Sequence, residues 1–173
     1  MGKHIILIGP MGAGKSSLGR RLAGRLKRPF YDCDQYLEQR TGVSITTIFE
    51  LEGEQGFRQR EHKSFIELIT RNPAVIATGG GIITQAVNHA ELASDKNIVV
   101  YLKASIAAQL KRTSHDKSRP LLQTSNRHAK LSSLAAQRNP LYEKFADIII
   151  DTDRQNISKS IEQIISQLEQ IKL

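Results

Sequence analysis

Hydrophobic residues in this chain fall into short runs of strand length, separated by longer stretches with helical spacing. The runs occupy residues 4–8, 30–32, 74–77, 97–102 and 147–151. Most are rich in β-branched residues and lack polar alternation, which is typical of strands buried on both faces of a sheet. The pattern therefore predicts an α/β fold in three layers, with helices on both faces of a five-stranded parallel sheet.

Helical spacing connects these runs. Helices are predicted over residues 15–27, 35–41, 44–52, about 54–71, 86–94, 104–114, 126–146 and 155–172. The last is the most clearly amphipathic, because isoleucines at three- and four-residue spacing form one apolar face. Pro140 predicts a break in the helix over residues 126–146. The polar stretch 114–126 has no period and is interpreted as a mobile surface loop.

Length and composition indicate one compact domain. A chain of 173 residues can bury roughly two thirds of its unfolded surface, so we expect a single domain over residues 1–173. No apolar run approaches the roughly 20 residues that span a bilayer, so no membrane association is expected. The single cysteine, Cys33, cannot form an intrachain disulfide. This fits a reducing compartment and predicts a cytoplasmic protein.

The net charge of +8 is concentrated in two segments. Residues 1–31 contain seven Lys or Arg and no acidic residue, and residues 103–138 contain eight with Asp116 as the one acid. Basic segments of this kind are compatible with binding to nucleic acid. A small polyanionic ligand explains them equally well, because both segments contain candidate phosphate-binding residues.

The stretch GPMGAGKS, residues 9–16, matches the phosphate-binding loop pattern. It follows a predicted strand and opens a predicted helix, which is the context that this motif requires. Its glycines let backbone N–H groups surround nucleotide phosphates at the positive end of the helix. Lys15 is predicted to reach the β and γ phosphates, and the Ser16 hydroxyl to coordinate magnesium.

A nucleoside-triphosphate site alone does not distinguish between GTPases, motor ATPases, helicases and small-molecule kinases. The Asn-Lys-x-Asp element with which GTPases recognise the base is absent from the sequence. No apolar strand ends in the acidic pair expected of a motor ATPase. Kinases of small molecules are therefore the leading class, and an ATPase that binds nucleic acid through the basic segments is the alternative from another class.

Asp32 and Asp34, in the stretch DCD, follow the short second strand. If this segment is extended, both carboxylates lie on one side, at the carboxyl edge of the sheet. One could then hold magnesium through water while the other orients an acceptor hydroxyl. The alternative is that Asp34 only caps the helix predicted to begin at Gln35.

Three arginines are candidate ligands for anionic groups. Arg58 lies one helical turn before Glu61, either as an ordinary exposed ion pair or as a carboxylate-binding group held by that acid. Arg119, in SRPLL, could close over a phosphoryl group with its loop. Arg138, in RNPLY, is the third candidate and lies just beyond this loop. The alternative for Arg119 and Arg138 is that they are ordinary surface residues, as single arginines most often are.

Three consecutive glycines, residues 79–81, end the run AVIA. Glycine in series indicates either a turn with positive φ or a place where another group approaches the backbone closely. The run is predicted to end at the carboxyl edge of the sheet, beside the phosphate loop.

Six segments in this order, GPMGAGKS, DCD, FRQRE, TGGG, SRPLL and RNPLY, resemble the shikimate kinase family. The resemblance covers essentially the whole chain. It implies a P-loop kinase fold similar to that of nucleoside-monophosphate kinases, with strand order 2-3-1-4-5. It further implies a helical substrate-binding region at about residues 33–61 and a mobile lid at about residues 113–125.

The resemblance also implies an activity: ATP-dependent phosphorylation of the 3-hydroxyl of shikimate, with Mg²⁺, on the route to chorismate and aromatic amino acids. It implies a monomer that binds ATP and shikimate and no nucleic acid. The alternative within the same class is a kinase of another small molecule, such as gluconate or a nucleotide.

The resemblance assigns roles residue by residue. The implied shikimate ligands are Asp34, Arg58, Gly80 and Arg138, and Gly81 is added because bare backbone at the sheet edge can offer N–H groups to the substrate. The implied ATP ligands are Gly12, Ala13, Gly14, Lys15, Ser16, Ser17, Arg112, Arg119 and Gln155. Magnesium would be held by Ser16 and, through water, by Asp32. Catalysis would depend on Asp34, Lys15 and Arg119. A side chain at Gly80 would fill space needed by the substrate, whereas Gly79 would serve only the turn.

Overall fold

A computed structural model describes residues 2–171 and contains one five-stranded sheet. Its strands are β1 (His4–Ile8), β2 (Phe30–Asp32), β3 (Val75–Ala77), β4 (Asn97–Lys103) and β5 (Ile148–Asp151). Their order is β2-β3-β1-β4-β5, and every neighbouring pair is parallel. The predicted sheet and strand order are therefore confirmed.

Seven α-helices connect or follow the strands in this part of the chain. They are α1 (Lys15–Leu26), α2 (Cys33–Thr41), α3 (Ile45–Ile69), α4 (His89–Leu92), α5 (Ile106–Arg112), α6 (Arg127–Phe145) and α7 (Ile157–Ile171). The two helices predicted over 44–52 and 54–71 meet at Gly53, whose φ of 69° and ψ of −176° interrupt α3. The predicted end of the last helix, residue 172, lies outside the described residues.

The break predicted at Pro140 is wrong, because α6 continues through it. A proline inside a helix removes one hydrogen bond and crowds the carbonyl of the residue four positions earlier, here Ala136. Both Pro140 and Ala136 are exposed, so this carbonyl lies on the solvent side of the helix. On the opposite face Leu131 and Tyr142 are buried, and their packing keeps the helix continuous.

Apolar side chains fill the space on both faces of the sheet. On one face, the core joins the strands to α1 and α7, with Leu18, Leu22, Ile161 and Ile164 buried. On the other, Phe65 of α3 and Tyr142 of α6 pack against the strands. The three-layer arrangement and the apolar face predicted for the last helix are therefore confirmed.

The segments that follow β1, β2 and β3 emerge together at the carboxyl edge of the sheet. The phosphate loop follows β1, Asp32 ends β2, and the glycine segment follows β3. The polar loop 114–126 contains a short 3₁₀ turn, residues 120–122, whose Leu122 is buried against Met11 and Leu131. This contact seats the loop beside the phosphate loop. None of the helices within residues 2–171 is long and apolar enough to cross a membrane.

Candidate active site

A cavity of about 1080 Å³ opens at this edge of the sheet. It brings together all the residues predicted for the site, and their individual roles remain predictions. They are Gly12, Ala13, Gly14, Lys15, Ser16, Ser17, Asp32, Asp34, Arg58, Gly80, Gly81, Arg112, Arg119, Arg138 and Gln155. The cavity is larger than one small ligand needs, so it has room for a nucleotide and a second substrate.

The phosphate loop has the backbone shape that its glycines were expected to provide. Gly12 and Gly14 have φ values of 76° and 87°, in the left-handed region. No side chain caps the start of α1 at Gly14, so the first N–H groups of this helix remain available to an anion. The loop is therefore a preformed cradle for phosphates.

Lys15 folds back over this loop. Its Nζ donates to the carbonyl oxygens of Gly9 and Pro10, at 2.7 and 2.9 Å. Loss of hydration, together with the positive charge of Arg119, lowers the pKa of Lys15 to about 7. The negative charges of Asp34 and Asp32 only partly offset this effect, and bound phosphates would add further negative charge.

Asp32 connects the second strand to the phosphate loop. One oxygen, Oδ1, caps α2 by accepting the N–H groups of Asp34 and Gln35, at 3.0 and 3.1 Å. The other, Oδ2, accepts the hydroxyl of Ser16. The idea that Asp34 serves as the helix cap is therefore wrong, because Asp32 fills that position. Two oxygen donors next to a phosphate cradle are suited to magnesium.

Asp34 lies in the first turn of α2, so the extended geometry assumed from the sequence is wrong. It nevertheless lines the cavity. Burial raises the pKa of Asp34 to about 7, and the negative charges of Glu61 and Asp32 add to the effect. A carboxyl group that titrates near neutral pH can accept a hydrogen bond or proton from a substrate hydroxyl.

Arg58 and Glu61 form a buried ion pair rather than a surface contact. Their side chains are 7% and 1% exposed, and Nη1 of Arg58 lies 2.8 Å from Oε2 of Glu61. Glu54 contacts the same guanidinium from solvent, at 3.2 Å. Nε of Arg58 is buried and has no partner among the described residues. The guanidinium therefore retains capacity for another acceptor.

Arg138 places a second buried guanidinium at the same cavity. It projects from α6, is 5% exposed, and its Nε also has no partner within residues 2–171. Buried cations of this kind are costly unless an anion accompanies them. Two arginines facing one space, with Glu61 balancing one charge, have the geometry and net charge to accept a carboxylate.

The three glycines lie in a turn that does not need positive φ, so close approach of other groups explains them better. None of Gly79, Gly80 and Gly81 has a positive φ. A Cβ on Gly79 would clash with Oε1 of Glu61, and one on Gly81 would clash with Nη2 of Arg58. The assignment of Gly79 to a turn alone is therefore wrong. These two glycines make room for the buried ion pair.

Three residues predicted to bind ATP outside the phosphate loop also line the cavity: Arg112, Arg119 and Gln155. Arg112 donates to the carbonyl of Gly12, at 3.0 Å, and to Thr152, at 3.1 Å, so it ties the phosphate loop to the end of β5. Arg119 pairs with Asp116 at 2.9 Å on the same loop. Gln155 contacts Gln163 on α7, at 2.8 Å.

Two residues that contact the predicted site residues were not predicted from the sequence. Asp116 holds Arg119, and Tyr142 donates its hydroxyl to the carbonyl of Gly80. Tyr142 follows Arg138 by four residues, a spacing that puts both on one helix face. This spacing was the available signal, but it acquires meaning only when α6 is known to pass beneath the glycine segment.

Fold and cavity together define the class of the protein: a P-loop kinase with a second binding space for a small anionic molecule. The family model described as shikimate kinase matches residues 11–169. The chain belongs to the shikimate kinase family. The resemblance recognised in its six sequence segments is thereby confirmed.

Individual relatives agree with this assignment. A shikimate kinase of Thioalkalivibrio sulfidiphilus is 53% identical over 161 residues, which cover 93% of this chain and 84% of that protein. The solved shikimate kinase of Acinetobacter baumannii in complex with shikimate has a TM-score of 0.95 and 45% identity, covering 100% and 96% of the two chains. A gluconokinase of Sinorhizobium meliloti has a TM-score of 0.57 and 15% identity, covering 99% of this chain and 98% of that chain. This likeness shows the fold alone.

Proposed function

We propose that this protein transfers the γ-phosphoryl group of ATP to the 3-hydroxyl of shikimate, giving shikimate 3-phosphate and ADP. The observation that carries the proposal is the pair of buried guanidinium groups, Arg58 and Arg138, in the same cavity as the phosphate loop. A carboxylate on a hydroxylated ring would neutralise them. A neutral sugar would leave both guanidinium groups without an anion.

In the proposed mechanism the chain positions the two substrates for in-line transfer. Asp34 orients the 3-hydroxyl and accepts its proton as the new bond to phosphorus forms. Lys15 stabilises charge on the β and γ phosphates, and the N–H groups of residues 12–17 fix their orientation. Arg119, when its partner Asp116 releases it, adds positive charge from the loop. Catalysis thus rests on orientation and charge.

A magnesium ion fits the donor set beside the phosphate loop. Within residues 2–171 no group of three or more His, Cys, Asp or Glu side chains is arranged to hold a metal. Ser16 would ligate the ion directly and Asp32 through water, with phosphate oxygens completing the coordination. When bound, magnesium supplies charge neutralisation at the phosphates.

The larger units of the site are proposed as well. A substrate-binding region at about residues 33–61 contains Asp34 and Arg58, and a lid at about residues 113–125 contains Arg119. We further propose a single-domain monomer, because one copy of the chain supplies every predicted site residue. A cytoplasmic location is proposed on the buried, unpaired thiol of Cys33.

The proposal is tested by measuring ADP release from purified protein with ATP, magnesium and a panel of acceptors. Shikimate should support turnover, whereas gluconate, nucleosides and a reaction without acceptor should not. Turnover with gluconate or a nucleoside and none with shikimate would overturn the proposal. A binding measurement with single-stranded DNA and RNA at two salt concentrations tests the nucleic-acid alternative, for which steeply salt-dependent binding is expected.

A further inference from the structure

Tyr142 lies directly beneath the glycine segment without reaching the cavity. The residue is 0% exposed, and its hydroxyl donates to the carbonyl oxygen of Gly80. The ring stacks on Tyr101, with centroids 5.0 Å apart and planes inclined by 28°. A side chain this enclosed has one available arrangement, so its hydroxyl fixes the position of the Gly80 carbonyl.

The carbonyl of Gly80 and the N–H of Gly81 belong to the same peptide group. In a trans peptide these two groups point in opposite directions, and no cis peptide occurs in the described chain. Because Tyr142 holds the carbonyl toward α6, the N–H of Gly81 is directed away from α6. Within residues 2–171 this N–H donates no hydrogen bond to the protein. Gly81 is buried but lines the cavity, so its unpartnered N–H is available to a ligand oxygen there.

The same hydroxyl lies beside Arg138. A Cβ on Gly80 would be 3.3 Å from Nη1 of Arg138 and 3.4 Å from the hydroxyl oxygen of Tyr142, so both groups border one small space. Burial raises the pKa of Tyr142 well above its ordinary value. The hydroxyl therefore remains a donor throughout the pH range of an enzyme assay.

We propose that Tyr142 is a positioning residue for substrate recognition. It orients the Gly80–Gly81 peptide so that the N–H of Gly81 faces an oxygen of the acceptor molecule, next to the guanidinium groups of Arg58 and Arg138. This inference rests on the proposed function for the identity of the acceptor. The orientation of the peptide itself does not depend on it.

The test compares Tyr142→Phe with Tyr101→Phe. Each variant removes one hydroxyl from the same stacked pair, but only the first loses the bond to Gly80. For Tyr142→Phe we expect the KM for shikimate to rise about tenfold while the KM for ATP changes less than about twofold. Tyr101→Phe should change neither. An unchanged KM for shikimate, or equal rises for both substrates, would overturn the inference.

A second readout is independent of activity. In protein labelled with ¹⁵N, the amide resonance of Gly81 should move in Tyr142→Phe and stay in place in Tyr101→Phe. If it does not move, the inference is wrong whether or not the protein phosphorylates shikimate. If the wild type fails to phosphorylate shikimate but the resonance moves, the proposed function fails while the positioning of the peptide stands.

Discussion

The carboxylate of Glu61 lies 2.8 Å from the guanidinium of Arg58, and both side chains are almost completely buried beneath the glycine segment. Glu54 contacts the same guanidinium but is 54% exposed. Breaking a buried pair leaves an uncompensated charge, whereas an exposed pair contributes little. We therefore expect Glu61→Gln to lower the free energy of unfolding by about 3 kcal/mol. Glu54→Gln should lower it by less than about 1 kcal/mol.

Urea unfolding of both variants, followed by circular dichroism, measures this difference. The KM for shikimate should rise in Glu61→Gln, because Arg58 loses the group that fixes its orientation. Equal losses of stability in the two variants would contradict the assignment of Glu61 as the dominant partner of Arg58.

The raised pKa of Asp34 predicts opposite effects of pH on activity and stability. Only the ionised carboxylate accepts a proton, so kcat/KM for shikimate should fall as pH drops through about 7. For stability, a folded pKa near 7 exceeds the ordinary value of 3.8, so the folded state holds the proton more tightly. The contribution of Asp34 to the free energy of unfolding is therefore most favourable below about pH 4 and is lost as pH rises to about 7.

Asp34→Asn removes this titration. The variant should lose most turnover, keep its affinity for ATP and be more stable than wild type by a margin that widens between about pH 4 and 7. Thermal unfolding across this range measures the margin. Asp95→Asn, which alters an exposed carboxyl, is the matched control and should show no such trend. A constant margin for Asp34→Asn would contradict the argument.

The lowered pKa of Lys15 predicts proton uptake when a nucleotide binds. The free protein should hold Lys15 largely neutral at about pH 8, and phosphate oxygens would restore its charge. Titration calorimetry in buffers of different ionisation enthalpy should then report close to one proton bound per ATP at about pH 8. Lys15→Arg keeps a permanent charge and should bind ATP without uptake. Equal uptake by both proteins would exclude Lys15 as its source.

The sequence predicted those features of the fold that depend on local patterns. The strands and the phosphate loop are specified by continuous apolar runs and by glycines whose φ values the loop requires. The continuity of α6 through Pro140 was not predictable, because it depends on burial of the opposite face by the sheet. The helical conformation of Asp34 was missed because Asp32 begins the helix two residues earlier than the pattern suggested.

The glycine segment illustrates the same limit within the site. Its strand and its position at the sheet edge follow from the sequence, but the groups that approach Gly79 and Gly81 do not. Glu61 and Arg58 belong to α3, whose packing against this segment depends on tertiary structure. The sequence thus identified residues that line one cavity, but not the contacts between them.

These contacts predict different results for alanine at Gly80 and at Gly81. At Gly80 the nearest atoms to an added Cβ are 3.3 to 3.4 Å away, so the chain should fold with small adjustments. The methyl group would crowd Arg138, and the KM for shikimate should rise about tenfold while that for ATP changes little. Gly81→Ala should also reduce stability, because the methyl group would displace the guanidinium of Arg58 from its pair with Glu61.

Gly24 is the matched control for these substitutions, because it lies exposed in α1 with no atom within 4 Å of an added Cβ. Gly24→Ala should raise the free energy of unfolding by about 0.5 to 1 kcal/mol, since alanine restricts the unfolded chain and favours the helix. Its kinetic constants should match those of the wild type. If Gly80→Ala instead raised both KM values equally, the methyl group would be disturbing the phosphate loop, and the contact of Gly80 with the acceptor would have to be abandoned.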